Sequence, residues 1–121
     1  MAFIFYNRNP EYDIEKDCVV RAISTATGES YYDTESMLEG VGYCYDCEEL
    51  EVGCYSYLLE EILGYDVYGG NGRKVSSIIE DHPNDILLIR VSGHLTCAMF
   101  GDLYDIWDCG DEIVDRYWVV E

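Results

Sequence analysis

The hydrophobic pattern of this chain changes period near Asn84, and that change fixes the class of fold open to it. Before Asn84 the apolar residues recur at helical spacing. In the segment Cys18–Thr27, Val19, Ala22, Ile23 and Ala26 fall at i, i+3, i+4 and i+7, one face of a buried helix. Asp17 stands at its N-cap and Gly28 at C′. Residues 30–39, 54–63 and 74–81 predict three further helices, stopped by Gly40, Gly64 and Pro83. Residues 41–52 read as an acidic, tyrosine-rich loop, residues 3–6 as a short strand and residues 65–68 as extended chain. After Asn84, residues 86–91, 94–100, 103–107 and 113–120 are strand-like runs divided by Gly, Ser, Asp and Cys turns. Helices first and an antiparallel β-meander second predict an α+β fold, its N-terminal helices covering one face of a C-terminal sheet. A chain of 121 residues has room for one core, so residues 1–121 are expected to form a single domain.

Charge narrows the partners. The formal net charge is −18, which repels a phosphate backbone and excludes direct nucleic-acid binding. Disorder is excluded too, because 49% of the residues are hydrophobic. What remains is solubility, a basic protein or peptide as partner, or mimicry of nucleic acid at a basic site of another protein. The acid gathers in residues 46–61 and 102–115. Glu48, Glu49 and Glu51, set among clustered tyrosines, are the expected contacts to a basic partner. No stretch is long and apolar enough to span a membrane, and the apolar start of the chain is too short for a secretory h-region. A cytoplasmic location follows as the expectation, with all six cysteines as thiols.

Three of those cysteines, Cys44, Cys47 and Cys54, offer three ligands of a zinc site; a structural site needs a fourth. A reactive pair or plain loop thiols are the competing readings, and neither a metal nor a cofactor is expected. Residues 102–111 lack the glycine and glutamate offsets of a calcium loop.

Cys18 is placed differently from the other thiols. It opens a buried helix, where the macrodipole and free backbone N–H groups favour the thiolate, and where those N–H groups can receive an oxyanion. Two histidines can serve it. His82 precedes a proline in a loop, whereas His94 begins a strand after Ser92-Gly93. A carboxylate must then hold the imidazole. A two-residue Gly101-Asp102 turn would leave Asp105 four residues along the strand from His94, roughly 13 Å away. A bulge or a three-residue loop brings Asp108 beside His94 instead, so Asp108 is the expected orienting group.

The segment Asp17-Cys18-Val19-Val20-Arg21-Ala22-Ile23, followed by Thr27-Gly28-Glu29-Ser30-Tyr31, resembles the cysteine helix of a family of small papain-like cysteine-peptidase-fold proteins of phages, mobile elements and gut bacteria. Val91-Ser92-Gly93-His94 and Tyr104-Asp105-Ile106-Trp107-Asp108 resemble its histidine hairpin. The resemblance spans most of residues 14–120 and keeps the order Cys, His, Asp. It implies a papain-like fold with Cys18 as nucleophile, His94 as base and Asp108 as orienting residue. The implied activity is that of a cysteine hydrolase or peptidase acting on an amide, thioester or isopeptide carbonyl. The alternative is a catalytically silent relative, an acidic binding protein or phage-type inhibitor seated on a basic host-protein site. One departure stands out: papain-like enzymes carry a Gln or Asn shortly before the cysteine as oxyanion donor, and residues 13–17 supply none. Asn7 and Asn9 are the nearest amides.

Overall fold

A computed structural model describes residues 1–11, 17–48 and 50–120. Among these residues the chain is α+β, with four α-helices and six strands. The elements run β1 (Phe3–Phe5), α1 (Cys18–Thr27), α2 (Tyr31–Tyr45), α3 (Val52–Tyr57), β2 (Asp66–Gly69), α4 (Val75–Asp81), β3 (Ile86–Val91), β4 (His94–Met99), β5 (Asp102–Asp105) and β6 (Arg116–Val119). A π-helical turn, Leu58–Ile62, continues α3. The strands form one open mixed sheet in the order β1-β5-β4-β3-β6-β2. Its centre, β3-β4-β5, is the antiparallel meander that the alternation predicts.

Three features depart from the sequence expectation. First, β1 adds to β5 in parallel, and β2 closes the other edge against β6. Second, β6 does not follow β5 in the meander but crosses back to pair with β3. Third, the sheet is covered on both faces. Helices α1, α2 and α3 bury Val19, Ile23, Leu38 and Leu59 against Leu88, Leu95, Cys97 and Trp118. On the other face, Val75, Ile78 and Ile79 of α4 pack with Leu87, Ile89, Ala98 and Leu103. Cys109 and Val114, from the crossover between β5 and β6, complete that second layer. Strand β3 shows why: Ile-Leu-Leu-Ile is apolar on both faces, the signature of a central strand covered twice.

Helix α1 is the segment expected, with Gly28 at φ 78° donating its N–H to Ser24 O as a left-handed C-cap. Helix α2 starts where Ser30 predicts; the Ser30 hydroxyl accepts the Asp33 N–H. It does not stop at Gly40. It runs through Gly40 and Gly42 to Tyr45, because Leu38 and Val41 both bury against the first layer and outweigh the cost of two helical glycines. Among the described residues, no helix is long and apolar enough to cross a membrane.

The cysteines are not all thiols. Cys47 and Cys54 are joined by a disulfide, their Cα atoms 5.5 Å apart, within the range that a bridge requires. Cys18, Cys44, Cys97 and Cys109 are free. The expectation rested on compartment alone; it carried no information about which thiols α2 and α3 bring face to face.

Candidate active site

Cys18 is the first residue of α1, and α1 packs across β4 so that this end meets the start of the strand. Asp17 occupies the cap position, yet its carboxylate makes no cap hydrogen bond. It turns inward instead, paired with Arg21 one turn on, and accepts from Asn9 Nδ2 at 3.0 Å and from the Tyr31 hydroxyl at 2.9 Å. Two consequences follow. The negative charge beside Cys18 is compensated by a buried guanidinium. Asp17 does not spend its carboxylate on the first-turn N–H groups of α1, the groups suited to an oxyanion. Asn9, one of the two nearest amides, is held by Asp17 rather than presented as an oxyanion donor.

His94 opens β4 after the Ser92-Gly93 turn, where Gly93 sits at φ 68°. Its Nε2 lies 2.6 Å from Asp105 Oδ2, with side chains only 10% and 5% exposed. That leaves Nδ1 for Cys18, whose thiol hydrogen-bonds the ring. The electrostatics agree with this chain of contacts. Burial alone raises the Cys18 pKa, but the hydrogen bond to His94, the Leu95 N–H and the imidazolium charge outweigh it and hold the thiol below its usual 9.0. Burial opposes the His94 cation in the same way; hydrogen bonds to Asp105, Cys109 and Cys18 overcome it and push the imidazole up to about 11. Burial raises Asp105, but hydrogen bonds from His94, Thr96 and the Ile106 N–H, with the His94 charge, together outweigh it and hold the carboxylate below its ordinary range. The arrangement therefore shifts the balance toward thiolate, imidazolium and carboxylate.

Asp108 does not hold the histidine. Its Oδ1 accepts the Gly110 N–H at 2.9 Å, an Asx-type turn in the crossover. The reason is register. The β4–β5 hairpin turns at Phe100-Gly101, both at positive φ (52° and 89°), not at Gly101-Asp102. Met99 therefore pairs with Asp102 and Cys97 with Tyr104. Continued by one pair, this register sets Asp105 across from Thr96, diagonal to His94 on the same face and within side-chain reach. Moving the turn by one residue carries Asp105 two places closer to His94 and leaves the face unchanged.

Two more residues join the site unannounced by the sequence pattern. The Trp107 ring lies 5.0 Å from the imidazole and remains 41% exposed at the mouth of the cleft. Cys109 is fully buried, its Sγ 4.0 Å from Asp105 Oδ2. Trp107 was legible only as part of the family-like Asp105-Ile106-Trp107 string; no periodicity marks Cys109.

A cleft of about 590 Å³ opens beside Cys18 and His94, its lining including Leu50, Val52, Ile106 and Trp107. Its charged lining is Arg21, Arg90 and Glu51. Of the three glutamates expected to contact a basic partner, Glu51 lines this cleft and Glu48 is exposed outside it. Glu49 lies outside the described residues. Among the described residues, the acid of residues 46–61 thus reaches the cleft through Glu51, which shares its lining with two arginines. Compared with known protein families, curated proteins and solved structures, the chain has no match.

Proposed function

We propose that this protein is a papain-like cysteine hydrolase of the small phage and mobile-element type, acting on an amide, thioester or isopeptide carbonyl. The observation that carries the reading is the continuous contact Cys18–His94–Asp105, with Cys18 and His94 lining a cleft of about 590 Å³. The Cys18 thiolate attacks the carbonyl carbon, and the C=O π pair moves to oxygen. The N–H groups of the first α1 turn receive that oxyanion. When the tetrahedral adduct collapses, the imidazolium gives its Nδ1 proton to the departing amine or thiol, and the acyl group stays on Sγ. Water then attacks the acyl carbon and gives its proton to His94; the C–S bond breaks, the acid departs, and the Cys18 thiolate and His94 imidazolium are restored. Asp105 keeps Nε2 protonated throughout and so fixes the tautomer that leaves Nδ1 facing sulfur.

The test is Cys18 alkylation by iodoacetamide at pH 6, followed by mass spectrometry of the modified peptide. A thiolate–imidazolium pair reacts at least about tenfold faster at this pH than the exposed Cys44, because the thiolate is the nucleophile. A Cys18 rate equal to that of Cys44 overturns the hydrolase and leaves the acidic binding protein as the reading of the fold.

A further inference from the structure

Cys109 makes and breaks no bond in the proposed reaction, yet it is fully buried against the carboxylate that orients His94. His94, Asp105 and Cys109 each offer one ligand atom, and the three atoms lie within 4.8 Å of one another. Imidazole, carboxylate and thiolate are the three side-chain ligands that zinc favours. Zinc bond lengths of about 2.0–2.3 Å set tetrahedral edges of about 3.3–3.8 Å. The 4.0 Å sulfur–oxygen separation is close to that edge, and the 2.6 Å nitrogen–oxygen contact has to open by about 1 Å. Charge also balances: one thiolate and one carboxylate, both on buried side chains, neutralise a divalent ion. A narrow side pocket of about 10 Å³, room for one water-sized sphere, borders Asp105 together with Thr96 and Tyr104.

We propose that His94, Asp105 and Cys109 form a regulatory site for Zn²⁺ behind the catalytic histidine, which holds the enzyme inactive while metal is bound. Binding displaces two protons to solvent, one from His94 Nε2 and one from Cys109 Sγ, and forms Zn–N, Zn–S and Zn–O bonds; no electron is transferred. The imidazole becomes neutral with its remaining proton on Nδ1. It then gives Cys18 no cationic partner, and loss of Nδ1–H to a leaving group would require a zinc-bound imidazolate. The metal site stands on the three ligands alone, and only its effect on Cys18 rests on the hydrolase reading.

The experiment titrates the full chain, in a Cys44→Ser background that removes the exposed thiol, with Zn²⁺ against a chromophoric chelator. Co²⁺ serves as a spectroscopic substitute. The expected result is one equivalent of Zn²⁺ and a near-ultraviolet thiolate-to-cobalt band. Both persist in Cys18→Ala. In Cys109→Ala the affinity falls by at least about 100-fold, the upper end of what outer-shell changes alone cost, and the band is lost. Asp105→Asn weakens binding but keeps the band, which controls for a Cys109 variant that fails to fold. Zinc also slows Cys18 alkylation at pH 6. Unchanged zinc affinity in Cys109→Ala overturns the proposal, as does loss of the cobalt band in Cys18→Ala, which would put the metal on the nucleophile. Absence of any binding by the parent chain overturns it too. A slow Cys18 without zinc sinks the hydrolase reading alone, since the titration and the cobalt band do not depend on it.

Discussion

His94 Nε2 and Asp105 Oδ2 meet at 2.6 Å across a diagonal of the β4–β5 hairpin, and both side chains are almost wholly shielded from water. A hydrogen bond in that setting holds the imidazolium in place and fixes its tautomer. Asp105→Asn keeps the shape and removes the charge, so the thiolate of Cys18 loses the support of a stable cation. Alkylation of Cys18 at pH 6 should fall by about tenfold or more, one pKa unit being worth a factor of ten in thiolate. Asp108→Asn, which touches only a turn N–H, should stay within about twofold. Equal losses in the two variants would mean that the register assigned to this hairpin is wrong.

The dependence on pH has a definite sign. Cys18 titrates below 9.0 because His94 and the Leu95 N–H overcome burial. In His94→Ala the burial remains and its opponent is gone, so the alkylation profile should move to an inflection above 9.0. Stability follows the partners. His94 is raised to about 11 from 6.5, so its contribution is complete below pH 6.5 and fades as pH climbs through about 11. Asp105 is lowered from 3.8, so its contribution is complete above that value and fades as pH drops through the lowered one. The gap in urea midpoint between wild type and Asp105→Asn should therefore be widest between about pH 4 and 6.5 and narrow toward both extremes. A gap that does not vary with pH would point to packing, not charge.

How far the sequence reached depends on which interactions are local. Helix α1 was legible because its apolar stripe, its Gly28 cap and its length all lie within one segment. The meander was legible from alternation and turns. Asp105 was not, since its place depends on whether the chain turns at Phe100-Gly101 or one residue later. A phenylalanine at φ 52° is a turn that residue preference argues against. The second layer was partly visible: an apolar run at β3 needs cover on both faces, but nothing local says that α4 and the crossover supply it. The Cys47–Cys54 bridge and the approach of Cys109 to Asp105 are long-range outcomes of packing and left no pattern to read.

Asp17 and Arg21 form a buried ion pair whose acid is also held by Asn9 and Tyr31. Removing only the cation strands the carboxylate. Arg21→Met should cost about 3–5 kcal/mol, the usual penalty for breaking a buried pair. Asp17→Asn combined with Arg21→Met should recover most of that loss, because the charge left without a partner is gone. Urea denaturation of both variants and wild type measures it. A double variant no more stable than Arg21→Met would assign the loss to side-chain packing instead.

The Cys47–Cys54 disulfide closes a loop whose residues Leu50, Glu51 and Val52 wall the cleft. With a sequence separation of 7, the closed loop is short, and the chain-entropy relation gives about 2–3 kcal/mol of stabilisation. The same bond holds the cleft wall against α3, so its loss loosens the side of the site that a substrate chain would lie on. Unfolding free energies from urea curves taken with and without a thiol reductant should differ for wild type by that amount. The Cys47→Ser, Cys54→Ser double variant should sit at the reduced value in both conditions. A wild-type value indifferent to reductant, with the bond shown by mass to have opened, would mean that the loop is held by Val52 and Tyr55 packing and that the bridge adds nothing to it.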